Sequence, residues 1–323
     1  CVVLLLWRIV YSKFFAGLNT LCRIAFLGGW REKEQVSQLL EEESPDEYAL
    51  LDFSSCPETQ QDVCPIDEIV CSERTFSDQN WEWLVGCRER GIPITSLLEF
   101  YERISLRTSF ELMSSEGKFA LLSKETIPHR VYLFAKRTLD LCCAVTGAFF
   151  FLPLLPLLAL FIKIDSRGPV FFTQWRVGKN GKPFRMWKMR TMVSVAFKNG
   201  EFWTVPDDRR ITRVGKILRK THLDELPQIW NVFRNDISVV GVRPLSLEQC
   251  ELFRREIPFH DLRHIVKPGL TGWAVVNFRH VNDIEGAKKR LEFDLFYLRH
   301  QGMLLDIFII LRTIWVMLTG RGL

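Results

Sequence analysis

At 323 residues the chain is too long for one ordinary hydrophobic core and points to two domains. Charge divides it: residues 1–128 hold 12 Lys+Arg against 21 Asp+Glu (net −9), and residues 129–323 hold 31 against 17 (net +14), a balance suited to a polyanion such as nucleic acid, an anionic membrane face or phosphorylated ligands. Nine cysteines with no CxxC pair exclude a disulfide scaffold and argue against structural zinc.

The chain opens on Cys1 and an apolar stretch, Val2–Trp7, cut short by Arg8. Residues 1–22 are therefore expected to be the remnant of a membrane segment or linker whose upstream part is missing. Arg23–Leu27 reads as a buried strand, Gly28-Gly29 as a turn and Glu32–Glu43 as a helix through Val36, Leu39 and Leu40. Tyr48–Phe53, Asp67–Cys71 and Ile92–Ile94 read as further strands, with a helix over Trp81–Arg90. This alternation predicts a small parallel sheet, an α/β domain over residues 23–113. In Gly28-Gly29-Trp30-Arg31 a bulky Trp stands where a dinucleotide fingerprint needs the backbone to approach a pyrophosphate. A degenerate Rossmann-like domain used for assembly or regulation is favoured. Residues 114–130 read as a linker.

Leu141–Ile162 is a run of 22 residues without charge, long enough to cross a bilayer. Pro153 and Pro156 sit in its middle, and Lys136, Arg137, Lys163 and Arg167 flank both ends. If positive charge stays cytoplasmic, both ends belong on one side, and a helix-break-helix over residues 133–164 that enters one leaflet and returns meets both constraints. A spanning helix with a proline kink is the alternative. Met303–Leu318 carries Asp306 and Arg312 and reads either as an interfacial amphipathic helix or as a core helix.

Between these apolar segments, Val170–Gln174 and Phe184–Met192 predict two strands joined by a turn around Lys179–Gly181. Arg176, Lys188 and Arg190 can then face one site and bind phosphate. In Leu223-Asp224-Glu225-Leu226-Pro227-Gln228, Pro227 suits a first helical turn, with Asp224 at or near the N-cap and Glu225 just inside. One reading of the pair is a plain helix start. The other uses the same geometry to hold a phosphoryl group while one carboxylate attacks and its neighbour binds a metal. Arg219, Asn231, Asp236, Gly241-Val242-Arg243-Pro244, Lys267-Pro268-Gly269-Leu270-Thr271-Gly272 and Asn277-Phe278-Arg279 describe loops shaped to hold anions. No P-loop, G-x-S-x-G or His/Cys ligand cluster is visible. Basic residues that surround a membrane segment and a carboxylate pair argue against nucleic acid as the partner.

These residues resemble the monotopic bacterial polyprenyl-phosphate phosphoglycosyl transferases, also called the bacterial sugar transferase family. The resemblance runs from Lys136-Arg137-x-x-Asp140 to Leu318 through Pro153, Gln174-x-Arg176-x-Gly178, Lys188-x-Arg190-Thr191-Met192, Leu223–Gln228, Gly241-x-Arg243-Pro244 and Lys267-Pro268-Gly269-x-Thr271-Gly272. It implies an α/β Rossmann-like N-terminal domain followed by a mainly α-helical monotopic membrane catalytic domain over residues 131–323, with a re-entrant proline-broken helix and a small β-hairpin. It implies that Asp224 attacks a UDP-sugar to form a phosphosugar-aspartyl intermediate and release UMP, with Glu225 holding Mg²⁺. Polyprenyl (undecaprenyl) phosphate would then take the sugar 1-phosphate, initiating exopolysaccharide, capsule or O-antigen synthesis at the cytoplasmic face of the inner membrane. Arg219, Arg243 and Arg279 would bind phosphate together with Lys188, Arg190, Gln174 and Arg176, and Asp306 matches a late polar position of the family.

The acidic part resembles the domain that precedes the catalytic part in longer members, including Phe100-Tyr101-Glu102-Arg103, and a homo-oligomer through it is expected. Leu152, Lys267 and Phe278 depart from the family's usual Ser, Arg and Gly. A catalytically silent membrane scaffold that keeps the fold is the alternative, and the intact Asp224-Glu225 pair with Arg219 and Arg243 favours the transferase.

Overall fold

The computed structural model describes residues 21–51, 66–72, 81–113, 115–122, 130–193, 210–278 and 283–319. The chain forms two compact units, Cys1–Thr126 and Ile127–Leu323. The expectation for residues 1–22 lies almost wholly outside the described residues, as does Arg279.

In the first unit, β1 (Cys22–Leu27), β2 (Tyr48–Leu51), β3 (Glu68–Cys71) and β4 (Ile94–Ser96) form one parallel sheet in the order β2-β1-β3-β4. Parallel neighbours require crossovers: α1 (Trp30–Glu43) connects β1 to β2 and α2 (Trp81–Glu89) connects β3 to β4, while α3 (Leu97–Ser105) follows β4 and packs on the sheet. Side chains alternate across the sheet, so each face buries its own apolar cluster. Ile24, Phe26 and Val70 meet Val36, Leu39, Leu40, Phe100 and Ile104 on one side, and Ala25, Ile69 and Cys71 meet Leu84 and Cys87 on the other. The predicted linker is corrected in one respect. Its Ser115–Leu122 stretch forms a helix, α4, in spite of Gly117 within it.

The second unit is built along α5 (Arg130–Asp165), 36 residues and about 54 Å long. Pro153 and Pro156 lie inside it, and the helical backbone continues through both, so the expected break is corrected to an uninterrupted helix. Proline removes a donor from the ladder without ending the helix where packing holds the turns on either side. Here Phe151, Leu158 and Ile162 pack with Met189 and Leu218, while Ala144 packs with Phe184, Met186, Val232 and Ile237. The opposite face of α5, including Phe149, Phe150, Leu152, Leu160 and Ile164, is exposed. Among the described residues α5 is the one helix long and apolar enough to cross a membrane.

After α5 come the antiparallel hairpin β5 (Phe171–Val177) and β6 (Pro183–Met189), α6 (Arg213–Lys220), a 3-10 turn over Leu223–Gln228 and α7 (Ile229–Phe233). Then follow β7 (Ser238–Val240), α8 (Leu247–Glu256), a second 3-10 turn over His260–Ile265, β8 (Gly269–Thr271), α9 (Trp273–Asn277), α10 (Ile284–His300) and α11 (Met303–Thr319). β7 and β8 pair in parallel at unusually close range. A Cβ on Gly272 would lie 1.9 Å from the Gly241 carbonyl oxygen, and one on Gly269 would lie 2.2 Å from the Gly241 nitrogen. The glycines of both loop motifs are thus required by backbone contact between the two loops.

Candidate active site

The Lys136-Arg137-x-x-Asp140 motif fixes the first half of α5. Arg137 donates to the carbonyls of Val232 (2.7 Å) and Phe233 (3.1 Å), satisfying the C-terminus of α7. Asp140 accepts from Ser238 Oγ (2.9 Å) and the Val239 amide (2.8 Å) at the start of β7. Lys136 reaches Asp306 on α11 at 2.8 Å, where Tyr132 (2.8 Å) and Tyr297 (2.7 Å) also donate to the carboxylate. At the other end of the helix, Asp165 accepts from the Val214 amide in the first turn of α6 at 2.8 Å.

Arg190, expected among the phosphate ligands, contacts the end of α5 in this structure. Its Nη2 donates to the carbonyls of Ser166 (2.7 Å) and Ile162 (3.3 Å), covering the last turn of α5, and the side chain is buried there. Arg190 follows β6, where the strand's alternation no longer sets its direction, so it turns back to free helix carbonyls. Asp306 likewise serves packing: it is fully buried, and its partners Tyr132, Lys136 and Tyr297 are distinct from the residues that contact Glu225.

Asp224 and Glu225 lie in the 3-10 turn, and the helix cap expected at Asp224 is instead His222, in the left-handed region at φ 56. With Pro227 inside a turn of three residues, adjacent side chains point in well separated directions. Glu225 Oε1 accepts from Lys188 at 2.8 Å and from Arg243 at 3.4 Å. Burial by itself would raise its carboxyl, but Lys188 and Arg243, with the Lys188 hydrogen bond, hold it at about 2. The Asp224 carboxyl moves the other way. Burial raises it above its ordinary value, Glu225 adds to the rise, and Lys188, Arg219 and His222 oppose it. Among the described residues the Asp224 carboxylate accepts no hydrogen bond, so its oxygens are open to attack an electrophile.

The hairpin delivers the cations. Gln174 and Arg176 share a face with Lys188 because the register pairs Phe172 with Lys188 and Arg176 with Phe184. Buried Asn231 locks that register to α7, accepting from the Trp187 amide (3.1 Å) and donating to the Arg185 carbonyl (2.7 Å). Arg176 is held by Gln174 at 2.7 Å, and burial and then Arg243 lower it to about 10 against the pull of Glu225. Arg219 is held through Nε by Thr191 Oγ1 at 2.9 Å.

Residues that sequence reasoning missed support Arg243. Arg263 Nη2 donates to the Arg243 carbonyl at 2.9 Å and pairs with buried Asp294 at 2.9 Å. Asp294 was detectable only as a lone carboxylate in the apolar run Phe293–Leu298, and Arg263 carries no such signal.

Beside the carboxylates lies an apolar cavity of about 400 Å³, lined by residues including Phe151, Leu152, Trp187, Leu226, Pro227 and Trp230. Its floor begins at the residue after Glu225. The site thus joins a carboxylate pair and four cations to an apolar cavity. Magnesium binds through one or two carboxylates plus substrate phosphate oxygens. The donor set fits: both described contacts of Glu225 fall on Oε1, leaving Oε2 open.

The bacterial sugar transferase family matches residues 131–320. The chain is 37% identical over 243 residues to the Aeromonas hydrophila UDP-N-acetylgalactosamine-undecaprenyl-phosphate N-acetylgalactosaminephosphotransferase, covering 75% of this chain and 56% of that one. It is 41% identical over 182 residues to the Escherichia coli K12 UDP-glucose:undecaprenyl-phosphate glucose-1-phosphate transferase, covering 56% of this chain and 39% of that one. A Rhizobium leguminosarum exopolysaccharide production protein is 38% identical over 197 residues, 59% of this chain and 98% of that one. The chain therefore spans about half, or less, of the first two relatives.

Proposed function

From the premise that this chain belongs to the bacterial sugar transferase family, we propose that it transfers a sugar 1-phosphate from a UDP-sugar to a polyprenyl phosphate such as undecaprenyl phosphate. The carrying observation is the junction of Asp224 and Glu225 with cations on one side and an apolar cavity on the other. A nucleoside diphosphate fits the first, and an isoprenoid chain fits the second.

In this reading an Asp224 oxygen attacks the phosphorus that bears the sugar. The phosphoanhydride bond breaks, UMP leaves with the bridging oxygen, and an acyl phosphate joins Asp224 to the sugar phosphate. An oxygen of the lipid phosphate then attacks the same phosphorus and frees the carboxylate. Burial keeps Asp224 weakly solvated and therefore basic, while Lys188, Arg176, Arg219 and Arg243 stabilise charge on the phosphates. Lys188 and Arg243 keep Glu225 ionised as a magnesium ligand. Bound magnesium would supply charge neutralisation on the diphosphate.

We also read α5 as a membrane-associated helix that lies along one face of the bilayer instead of turning back within it. Lys136, Arg137 and Asp140 near its start and Asp165 at its end bond to one compact unit, while its outer face is exposed and apolar. An unbroken helix tied to one body near both ends presents its apolar outer face to a single leaflet. Positive flanking charge supports reading that side as the cytoplasmic face of the inner membrane. The four-stranded parallel sheet supports reading the acidic unit as a Rossmann-like assembly domain.

The purified full chain, given labelled UDP-sugar and Mg²⁺ without lipid, should retain labelled phosphosugar and release UMP. Asp224→Asn should do neither. UMP release at the wild-type rate in Asp224→Asn would overturn the assignment.

A further inference from the structure

The strongest cluster outside this site lies where α8 meets the 3-10 turn His260–Ile265. Ligand atoms of His260, Asp261 and His264 all lie within 4.8 Å of one another. Asp261 Oδ1 is 3.9 Å from His260 Nδ1 and 4.0 Å from His264 Nε2. Cys250, from α8, places Sγ 3.7 Å from His264 Nε2. Zinc takes sulfur, imidazole and carboxylate donors tetrahedrally at about 2.0–2.3 Å, which sets ligand-to-ligand separations of roughly 3.3–3.8 Å. The two Asp261 separations and that from Cys250 to His264 are within a few tenths of an ångström of that range; His260, Asp261 and His264 form the mutually close set, and Cys250 Sγ, near His264, would complete it by a rotation of its side chain.

A second observation points the same way. The His260 ring is 2% exposed, yet its Nδ1, the atom facing Asp261, has no hydrogen-bond partner among the described residues. An unpartnered buried polar atom is destabilising, and a bound ligand would relieve it. Arg254 Nε holds the other oxygen of Asp261, Oδ2, at 2.7 Å and leaves Oδ1 facing the cluster. The nearby Arg263 charge is compensated by Asp294 at 2.9 Å.

We propose that Cys250, His260, Asp261 and His264 form a zinc-type metal site that clamps α8 to the turn leading into Lys267-Pro268-Gly269. The clamp lies behind the basic loops. Arg263 of the same turn holds the Arg243 carbonyl, and Gln249 beside Cys250 accepts from Arg176 at 3.5 Å. With metal on Nδ1, the His260 Nε2 proton faces Arg263 Nη1, now 3.4 Å away, and pushes it toward Asp294. Occupancy therefore bears on where Arg243 stands.

The test uses the full chain in detergent, freed of any affinity tag and chelator. It is titrated with Zn²⁺ and separately with Co²⁺, whose tetrahedral complexes absorb visible light. One metal per chain should bind, the cobalt form should show a thiolate-to-metal band, and zinc should raise the thermal midpoint. Cys250→Ser should remove that band. Asp261→Asn, at an exposed position, should weaken zinc about tenfold or more while leaving the metal-free thermal midpoint unchanged. The site is overturned if the wild type binds no zinc at micromolar concentration, or if Asp261→Asn and Cys250→Ser each bind zinc as the wild type does.

Discussion

Replacing Asp306 by Asn tests whether α11 is latched to α5 by charge. The side chain keeps its shape but loses its charge, so Lys136, whose side chain is 14% exposed, is left beside a neutral amide. Removing one partner of a buried ion pair costs about 3–5 kcal/mol, because the remaining charge stays desolvated. Hydrogen bonds to a charged group contribute about 1.5–3 kcal/mol each, so Tyr297→Phe, which deletes the 2.7 Å bond to Oδ1, should cost less than Asp306→Asn. Native-state hydrogen exchange of α11 amides, read by mass spectrometry, reports the local opening free energy in which these losses should appear. Adding Lys136→Met to Asp306→Asn removes the stranded ammonium and should recover part of the loss. A loss below about 1 kcal/mol in Asp306→Asn, or no recovery in the double variant, would refute the argument that the latch is a buried ion pair.

Other outcomes follow from the site. Glu225 sits at about 2 in the folded chain against an ordinary 4.5, so its contribution, about 3 kcal/mol, is present above pH 4.5 and is lost as pH falls toward 2. Asp224, raised on folding, contributes with the opposite sign, its stability being lost as pH rises through its folded value. Acid unfolding measured in an Asp224→Asn background should therefore show the Glu225 loss, and Glu225→Gln in that background should flatten it. The acid limb of UMP release should lie above the ordinary Asp value of 3.8 and move higher still in Lys188→Met, whose cation now lowers Asp224. An unmoved limb in stopped-flow or quench assays would remove Asp224 as the titrating group. Gly272→Ala drives a methyl to 1.9 Å from the Gly241 carbonyl, so it should lower the thermal midpoint and cut UMP release by separating the loop that carries Arg243.

Much of the fold was legible because it is local. A short continuous apolar run located β1, period-two alternation located the β5–β6 hairpin, and the uncharged run located α5. The Asp224-Glu225 pair, Lys188 and Arg243 were singled out, because acidic and basic residues set among glycines and prolines stand out in sequence, and the structure brings them together. Arg190 and Lys188 could not be told apart, although one covers a helix end and the other meets Glu225. The cap expected at Asp224 fell on His222, since Pro227 sits in a 3-10 turn instead of an α-helical one.

The sequence by itself determined the division of charge, the order of the elements and which residue types the loops must carry. Those properties depend on neighbours a few positions apart, where backbone geometry is set. Tertiary structure decided which buried charge meets which partner. Asp306 finds Lys136 across 170 residues, Arg263 finds Asp294, and Cys250 finds His264 from another element. A desolvated charge is stable only where packing brings its counterpart within about 3 Å, and that requirement is met by the assembled core, not by spacing along the chain.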